Sequence, residues 1–542
     1  MYLLRLAIVL FLFSSSLIQC KGNTGNTDVE DKKDTSGVRA GLDTVIQVMP
    51  QPMSGIVFDS TLIPGFLNRY PQFKEFSKDI AVFYRNRSYN YAWFEKDGLG
   101  EPAHLLLDKL RQESIDGIAV NAPYKDSLQG MFHLGDFTER PEHLKPDVNG
   151  ELMLTGQYLL LAKKIWSGAY SKNLETIGWN IPRKKLSYEE LLGKSLDVNN
   201  LSKIEQEILN PEYLALRAAL KQYREFEKKS GDVGSIAKLK KSLKPGDTSS
   251  VLAQVRRRLN LFGYLDNTDT IVKYDPSLAT AVNRYKKSVG LKQDSVITNE
   301  MIAALNIPIK KRIEQIMVNL ERFRWVPNHE KSDEFIFVNI PGYKLRYYEK
   351  GKQVWDCNVV VGKTMNKTVI FSGLMQHVVL SPYWYVPPSI IQKEVVPGMK
   401  RNKNYLASHN MEWNGGNVRQ TPGPHNSLGR VKFIFPNENN IYLHDTPSKS
   451  LFDKDSRAFS HGCVRVAQPR DLALRILRND PNWPPAKIDQ AMAGTTEKTV
   501  VLKKKIPVVI AYFTAFVETD GDVNFREDVY QRDEKLLKLI TE

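Results

Sequence analysis

The sequence predicts a multidomain α+β protein whose first half is mostly helical and whose second half is mostly β. Two patterns along the 542 residues indicate this. Apolar residues recur at helical spacing up to about residue 306, and from Phe335 onward short runs with a period of two alternate with turn residues. The expected units are a helical scaffold over 61–245, a three-helix unit over 246–308, a linker helix over 309–333, a mostly β domain over 334–505, and a C-terminal strand and helix over 506–542 that pack on the scaffold.

Residues 1–20 are predicted to be a signal peptide, because one arginine, a short apolar run and small polar residues follow one another. The run is too short for a permanent membrane span. It ends in "LIQC", which resembles a bacterial lipobox with Cys20 as the lipid-bearing first mature residue, except that Gln19 stands where a small residue is usual. A lipid anchor at Cys20 and ordinary signal cleavage are both open. Residues 21–60 are expected to be a flexible tether.

The composition is that of soluble globular domains with ample core, since 42% of the residues are hydrophobic and 25% are charged. The net charge of +15 favours either a solvated mixed surface or attraction to an anionic polymer of the cell envelope. The sequence lacks zinc-finger spacing, an aromatic RNA-binding motif and a concentrated basic helix, so we expect no nucleic-acid partner. We expect the chain to be a monomer.

The scaffold region contains three clear helix patterns. One, over "AHLLLDKLRQESIDG", is expected to end at Gly117, and a second is expected to end at Gly168. The third begins at Asn210, a predicted N-cap, with Pro211 in the first helical position. None of these segments carries side chains that suggest chemistry, so the region is interpreted as structural support.

Three short helical segments follow, with turns near Gly263 and Gly290. Their spacing, with "GYL" at the end of the first helix and "AVNRYKKS" in the second, resembles the three-helix peptidoglycan-binding domain type 1. Lys286 stands where that family has Gln, and Ser295 stands where it has Gly. The resemblance implies glycan strands as a partner, and a purely architectural bundle is the alternative.

The β domain is predicted from runs such as "EFIFVNI", "RVKFIFP" and "TVVLKK", with one helix over "QPRDLALRIL" that starts near Pro469. Residues 387–424 are rich in Gly, Pro, Asn and Lys and are expected to form a long irregular insertion. Long ordered loops of this kind are often lids over a binding site.

The stretch "SHGCVR", Ser460 to Arg465, contains one of only three cysteines. A cysteine attacks as the thiolate, so it needs a base or a cation nearby. His461 lies two residues before Cys463 and would point to the same side of an extended strand. His444 ends a strand-like run, and an antiparallel pairing of that strand with the strand of Cys463 would bring the two side chains within hydrogen-bonding reach.

Other roles for Cys463 are less well supported by the sequence. A zinc site from His444, His461 and Cys463 lacks the close ligand pairs typical of structural zinc, so we expect no metal, and we expect no cofactor. An inert buried cysteine does not suit the polar, glycine-containing "SHG". A disulfide between Cys357 and Cys463 stays open, although the apolar strand around Cys357 favours a buried, unpaired residue.

The segment "HDTPSKSLFDKDSRAFSHGCVRV" resembles the active-site signature of the L,D-transpeptidases, in which a His, a spacer of this length and (S/T)-H-G-C follow one another. "YWYVPPSI", "PGPHNSLGRVKFIFPN" and the C-terminal tail resemble the large Gram-negative members, which carry a helical scaffold and a peptidoglycan-binding-like domain. The resemblance covers most of the chain, residues 65–542.

The resemblance implies a cysteine acyltransferase of the cell wall. Cys463 would attack the bond between the L-centre and the D-centre of a donor stem tetrapeptide, and the side-chain amine of an acceptor stem would resolve the acyl-enzyme into a 3→3 crosslink. His444 would be the general base, and the Asp445 carbonyl would orient its ring. Carbapenems would acylate Cys463.

The resemblance also implies supporting roles for the surrounding residues. Gly462 and Cys463 would supply backbone N–H groups to an oxyanion hole, and Ser460 and His461 would shape the site. Arg465 would hold a substrate carboxylate. The donor cleft would be lined by Asn426, Trp384 and Tyr385.

Two alternatives stay open. An L,D-carboxypeptidase or endopeptidase would use the same Cys463 and His444 with water as the acceptor. A non-catalytic peptidoglycan-binding protein would be expected to have a broken motif, and none of the motif positions is broken here. The resemblance implies the periplasm of a Gram-negative bacterium, with the chain either free or held to a membrane by lipid at Cys20.

Overall fold

The computed structural model describes residues 53–132, 144–169, 174–231, 234–266, 271–327 and 333–541. The predicted signal peptide and the predicted tether up to residue 52 lie outside the described residues. Among the residues that are described, no helix is both long enough and apolar enough to cross a membrane.

The scaffold is helical, as predicted. Its helices are α1 (Leu62–Arg69), α2 (Ser77–Asn86), α3 (Glu101–Leu110), α4 (Lys125–Met131), α5 (Val148–Ala162), α6 (Tyr188–Ser195), α7 (Leu201–Ile208) and α8 (Pro211–Ser230). Its short strands are β1 (Phe94–Glu95), β2 (Gly98–Leu99), β3 (Ser114–Ile115), β4 (Ile118–Ala119) and β5 (Trp179–Asn180). Helix α5 continues as a π-helical turn and ends at Gly168, as predicted.

Two details of the scaffold differ from the prediction. Helix α3 ends at Leu110 and not at Gly117. Asp116 and Gly117 both have positive φ (49° and 81°) and form the two-residue turn between β3 and β4. Asn210 does occupy the N-cap position of α8, but its side chain does not cap the helix. Its Nδ2 donates instead to the Phe323 carbonyl at 3.2 Å.

The three-helix unit consists of α9 (Val251–Leu261), α10 (Pro276–Ser288) and α11 (Asn299–Leu305) around its own apolar core, and the linker helix α12 (Ile309–Trp325) follows. Both departures from the family pattern fit this fold. Ser295 takes a positive φ of 55°, as the usual glycine would, and the buried Lys286 pairs with Asp294. The Lys287–Asp520 ion pair, at 2.6 Å, ties α10 to a C-terminal hairpin.

The β domain contains the strands β6 (Glu334–Asn339), β7 (Lys344–Glu349), β8 (Lys352–Gly362), β9 (Ile370–Leu380), β10 (Trp384–Tyr385), β11 (Met411–Asn414), β12 (Asn417–Gln420), β13 (Val431–Ile434), β14 (Leu443–His444), β15 (Ala458–Ser460), β16 (Val464–Val466), β17 (Lys498–Ala511), β18 (Ala515–Val517) and β19 (Val523–Phe525). Its main sheet runs in the order β13-β14-β16-β8-β7-β6-β17-β9, and β9 pairs again with β13, so the circuit of strands closes. Strand β5 extends the sheet beside β9, which joins the scaffold to the β domain.

Strands β14 and β16 pair in parallel, and the predicted antiparallel pairing is wrong. The connection between them contains a 3-10 turn at Lys449–Asp453 and the strand β15, which pairs with β8 instead. This connection returns the chain to the end of the sheet at which β14 begins, so that β16 can run parallel to β14.

Residues 387–424, called the lid below, are folded rather than irregular. They contain the short helices α13 (Pro388–Ile390), α14 (Val396–Arg401) and α15 (Tyr405–Ser408) and the strands β11 and β12, and β12 also pairs with β10. Val386, Val395 and Val418 form a small core of their own. Each helix or strand is too short for its periodicity to be recognised in the sequence.

The C-terminal segment completes the β domain. Helices α16 (Pro469–Leu477) and α17 (Pro485–Ala493) precede β17, and α16 begins at Pro469 as predicted. Strand β17 runs through the boundary predicted at 505/506, because it pairs with β9 on both sides of that point and with β6 beyond it. After the β18–β19 hairpin, α18 (Asp533–Thr541) packs against α12, where Arg322 pairs with Asp533 at 2.7 Å.

Candidate active site

Cys463 lies in a tight turn between β15 and β16. The Oγ of the buried Ser460 donates to the Cys463 carbonyl at 2.6 Å and accepts from the Gly462 N–H at 3.1 Å. Gly462 has a φ of +125°, in the region that disfavours residues with a Cβ. Ser460 and Gly462 therefore shape the turn that presents Cys463. The Gly462 N–H is already used within this turn, whereas the resemblance assigns it to an oxyanion hole.

The thiol of Cys463 is half-buried and faces the chain segment before β14. Its Sγ lies 3.7 Å from the Asn440 carbonyl oxygen, to which the thiol can donate. The hydroxyl and the backbone N–H of Tyr442 lie near the sulfur and favour its thiolate form. Burial raises the pKa of the Cys463 thiol, and the Tyr442 donors and the Arg465 cation oppose this in part. Cys463 is therefore a neutral thiol at pH 7 and needs a base in order to attack.

Tyr442 is missing from the site residues predicted from the sequence. The parallel register sets Leu443 opposite Val464, which brings Tyr442 beside Cys463. The parallel pairing of β14 and β16 would have identified Tyr442, whereas an antiparallel pairing does not place it beside Cys463. Burial, and then the contact with Cys463, raise the pKa of Tyr442 well above its usual value, so its hydroxyl stays protonated at neutral pH.

His444 is buried at the end of β14, and a hydrogen bond to the main chain fixes its ring. Nδ1 lies 2.5 Å from the Asp445 carbonyl oxygen, which can only accept, so Nδ1 carries the proton and Nε2 keeps its lone pair. Burial and the Arg465 cation lower the pKa of His444 to about 3, against the opposing effect of the Asp445 carbonyl. The ring is therefore neutral at pH 7 and available as a base.

The carboxylate of Asp445 immobilises the backbone that presents this carbonyl. Its Oδ1 accepts from the Thr446 N–H at 2.7 Å and pairs with Lys449 at 2.5 Å, and its Oδ2 accepts from the Arg430 N–H at 2.8 Å. Gly429, with a φ of +61°, packs so closely that an added Cβ would lie 2.3 Å from the carboxyl group. The orientation of the imidazole therefore depends on a glycine in a neighbouring turn.

Arg465 lies directly opposite His444 on β16 and two residues after Cys463, so the three side chains share one face of the sheet. Its Nε is buried without a hydrogen-bond partner in the part of the chain that the structure describes. Burial lowers the pKa of Arg465, and the neighbouring Cys463 opposes this. A half-buried guanidinium with an unused donor suits a carboxylate ligand.

His461 points toward the lid, whereas an extended strand would place it alongside Cys463, as predicted from the sequence. Its exposed side chain places Nε2 3.6 Å from Oε1 of Glu394, which belongs to the π-helical turn Ile391–Val395 of the lid. The positive φ of Gly462 breaks the extended alternation on which that expectation depends. His461 therefore connects the Cys463 turn to the lid.

The predicted donor-cleft residues lie at the base of the lid. Trp384 is half-buried and packs against the lid core, whereas Tyr385 is 52% exposed. Asn426 is buried, and its Nδ2 donates to the Pro382 carbonyl at 3.0 Å while its Oδ1 accepts from the Leu428 N–H at 2.8 Å. Asn426 therefore stabilises a turn, and its place in the donor cleft stays a prediction.

Cys357 and Cys463 are both free thiols, so the disulfide that the sequence leaves open is not formed. Cys357 is buried in β8, and burial raises its pKa to about 12. The described ranges contain no group of three or more His, Cys, Asp and Glu side chains that could hold a metal ion.

Three family models match the chain. Residues 333–508 match an L,D-transpeptidase catalytic domain, residues 78–220 match a scaffold domain, and residues 248–305 match a domain described as peptidoglycan binding. The first match contains every residue of the site around Cys463. A curated protein of Haemophilus influenzae, whose name describes it as an inferred L,D-transpeptidase, is 32% identical to this chain over 244 residues. The aligned residues are 41% of this chain and 49% of that protein. The match thus spans about half the length of this relative.

Solved L,D-transpeptidases are similar at lower identity. A structure of residues 123–326 from Xylanimonas cellulosilytica is 14% identical and covers 51% of this chain and 100% of its own, with a TM-score of 0.18. A structure from Mycobacterium smegmatis is 11% identical and covers 33% and 58%, with a TM-score of 0.19. Since these superpositions are poor, the family assignment depends on the family models and the curated relative. The chain thus contains an L,D-transpeptidase catalytic domain at residues 333–508, preceded by a scaffold domain and a peptidoglycan-binding domain.

Proposed function

We propose that the protein is a peptidoglycan L,D-transpeptidase that forms 3→3 crosslinks between stem peptides through an acyl-enzyme at Cys463. The observation that carries the proposal is the sheet face that Cys463 shares with His444 and Arg465. This face combines a thiol, a neutral base whose Nε2 carries a lone pair, and a cation whose Nε has no hydrogen-bond partner among the described residues. These are the groups that acyl transfer between two anionic peptides needs.

In the first half-reaction, Sγ of Cys463 bonds to the carbonyl carbon of the L–D peptide bond while its proton passes to Nε2 of His444. The carbonyl oxygen becomes an oxyanion, which the Cys463 N–H and the Tyr442 hydroxyl can stabilise. His444 returns the proton to the amine of the leaving D-alanine as the carbon–nitrogen bond breaks. A thioester on Cys463 remains.

In the second half-reaction, the side-chain amine of an acceptor stem attacks the thioester carbonyl. His444 accepts a proton from that amine, the carbon–sulfur bond breaks, and Sγ recovers a proton from His444. The same base serves both halves because its pKa of about 3 leaves the ring unprotonated at the start of each.

Arg465 is proposed to bind a carboxylate of the donor stem. The terminal carboxylate of a tetrapeptide lies one residue beyond the scissile bond. The amine released at that bond must reach His444, so the attached carboxylate comes close to the cation opposite the same ring. A guanidinium can hold it through two parallel hydrogen bonds.

The lid favours an amine acceptor over water. Glu394 of the lid lies 3.6 Å from His461 of the Cys463 turn, and an acyl-enzyme that the lid covers would be less open to hydrolysis. An L,D-carboxypeptidase or endopeptidase is the second candidate, because Cys463 is only half-buried and water would need the same base. The two candidates differ in the fate of the thioester and not in the first half-reaction.

We further propose that this reaction takes place in the periplasm and that the α9–α11 unit holds glycan strands near the site. The match of residues 248–305 to a peptidoglycan-binding domain supports the second point. Cosedimentation of the purified chain with isolated cell-wall sacculi tests it, and labelling with a radioactive fatty acid, compared with Cys20→Ala, tests the lipid anchor.

Trapping of the acyl-enzyme tests the proposed function. The purified chain is mixed with a disaccharide-tetrapeptide, quenched in acid at short times and weighed by intact-protein mass spectrometry. We expect a mass gain equal to the donor without its terminal D-alanine, absent in Cys463→Ala and strongly slowed in His444→Gln. A donor that releases D-alanine equally fast with Cys463→Ala would contradict the proposal.

A further inference from the structure

The peptide group between Gly462 and Cys463 is held from one side by a residue far away in the sequence. The Gly462 carbonyl oxygen accepts a hydrogen bond from Oγ1 of Thr368 at 2.7 Å. Thr368 is fully buried, with 0% of its surface exposed, and lies in the connection between β8 and β9. This contact holds the carbonyl that directly precedes Cys463.

A planar trans peptide couples this carbonyl to the next N–H. The Gly462 C=O and the Cys463 N–H belong to one rigid plane and point in opposite directions. A hydrogen bond that fixes the carbonyl therefore fixes the direction of the Cys463 N–H as well. Within the described residues that N–H has no hydrogen-bond partner, whereas the Gly462 N–H is bound to Ser460. The Cys463 N–H is thus the backbone donor of this turn that stays available to an oxyanion.

The hydroxyl of Thr368 has only one orientation that satisfies its neighbours. Its Oγ1 accepts from the Gly362 N–H at 2.8 Å, and an N–H can only donate. The single hydroxyl hydrogen is therefore directed at the Gly462 carbonyl. Because the group is buried, water cannot replace either bond if one is removed.

Tyr530 holds Thr368 and Gly362 in place from the C-terminal segment. Its hydroxyl donates to the Gly362 carbonyl at 2.6 Å and accepts from the Thr368 N–H at 3.1 Å. Its own N–H donates to the Tyr512 hydroxyl at 2.8 Å, and only 1% of Tyr530 is exposed. Tyr530 lies beyond residues 333–508, the segment that matches the catalytic domain.

We propose that Thr368 and Tyr530 are positioning residues for the oxyanion hole. Thr368 fixes the Gly462 carbonyl so that the Cys463 N–H faces the oxygen of the tetrahedral intermediate, and Tyr530 fixes Thr368. The C-terminal segment is then part of the active site through Tyr530, although no residue of that segment touches the thiol in this account. The inference rests on the proposed acyl transfer at Cys463.

Two reactions of the same thiol test the proposal on the full chain. Acylation by a disaccharide-tetrapeptide needs an oxyanion hole, whereas alkylation by iodoacetamide, a displacement at a saturated carbon, does not. Thr368→Val keeps the shape of the side chain and removes the hydroxyl. We expect its acylation rate constant to fall about 10- to 100-fold and its alkylation rate to change less than about twofold. The saturation constant for the donor should change little.

Three further variants separate positioning from folding. Thr368→Ser restores the hydroxyl and should recover most of the acylation rate. Thr364→Val, in the same connection but exposed, removes a hydroxyl that donates to the Val529 carbonyl at 3.4 Å, and should behave as wild type. Tyr530→Phe should slow acylation about tenfold with alkylation preserved, since Thr368 keeps its bond to Gly462.

Equal loss of both reactions in Thr368→Val, or no loss of acylation, would overturn the inference. If the wild-type chain is alkylated but never acylated, the proposed function fails, and the inference is then decided by hydrogen exchange. The amides of the Cys463 turn should exchange at least about tenfold faster in Thr368→Val than in Thr364→Val. Equal exchange in the two variants would again overturn it.

Discussion

His444 and Arg465 lie directly opposite each other on the parallel strands β14 and β16, with Cys463 two residues before Arg465 on the same face. The pairing sets a cation beside a buried imidazole, which keeps the ring neutral. A neutral imidazole and a neutral thiol transfer their proton during the attack. The raised pKa of the thiol and the lowered pKa of the imidazole disfavour a resting thiolate–imidazolium pair, and this difference can be tested by pH.

The acid limb of the acylation rate should lie far below the usual pKa of histidine. Burial and Arg465 lower the pKa of His444 to about 3, so lowering the pH from 7 to 5 should not protonate the base. We expect a fall in the single-turnover rate only as the pH approaches 4. The lowered pKa of His444 also affects the free energy of unfolding. The stability that the neutral ring contributes is present above about pH 6.5, the usual pKa of histidine, and is lost as the pH falls below it. A midpoint near pH 6.5 would contradict this account.

Alkylation of Cys463 should become faster with pH without reaching a plateau by pH 9. Burial raises the pKa of the thiol, so the thiolate fraction should grow about tenfold per pH unit below it. Tyr442→Phe removes a donor to the sulfur and should slow alkylation at pH 8 by about three- to tenfold. Tyr405→Phe in the lid is the matched control. A plateau below pH 8 in the wild type would show a stabilised thiolate.

Gly429 should be needed for the orientation of His444, although it touches neither reacting group. Gly429→Ala introduces a Cβ 2.3 Å from the Asp445 carboxyl at a φ of +61°. Gly415→Ala is the control, because Gly415 has a φ of +54° and open space around it. Both variants should lose about 1–2 kcal/mol from the backbone conformation, measured by denaturant unfolding. Only Gly429→Ala should also lose at least about tenfold in acylation, and equal acylation rates in both would contradict the role of Asp445.

The buried Glu151 should make the scaffold more stable in mild acid. It accepts from the Ala92 N–H at 2.6 Å and from the Tyr84 hydroxyl at 2.8 Å, yet burial raises its pKa to about 7. The folded state therefore holds a proton that the unfolded state releases near pH 4.5, and stability is lost as the pH rises through 7. The loss should approach about 1.4 kcal/mol per pH unit between pH 5 and 7. Glu151→Gln should flatten this slope in denaturant titrations, and an unchanged slope would assign it to other groups.

The sequence identifies Cys463 and His444 as candidates because both lie in one short motif with a fixed spacing. It fails on the direction of the strand pairing, since that direction depends on how residues between them cross the sheet. Because the pairing is predicted in the wrong direction, Tyr442 is also missed as a neighbour of Cys463. The predicted position of His461 is wrong because the positive φ of Gly462 turns the chain. The pattern of residue types in the sequence does not show such a backbone angle.

Long-range contacts are the other part that the sequence does not reveal. Thr368 and Gly462 are 94 residues apart, and Tyr530 is 162 residues from Thr368. Nothing in the local pattern of these residues distinguishes them from other buried hydroxyl groups. The lid is a similar case, because its helices and strands are held by contacts among themselves and with β10 and not by their own periodicity.

The products of the reaction distinguish a transpeptidase from a hydrolase. The purified chain is incubated with disaccharide-tetrapeptide at pH 7, beside Cys463→Ala, and the products are separated and sequenced by mass spectrometry. The account predicts dimers joined by 3→3 crosslinks together with free D-alanine, both absent with Cys463→Ala. Tripeptide and D-alanine without any dimer would contradict the transpeptidase and identify a hydrolase that uses the same cysteine.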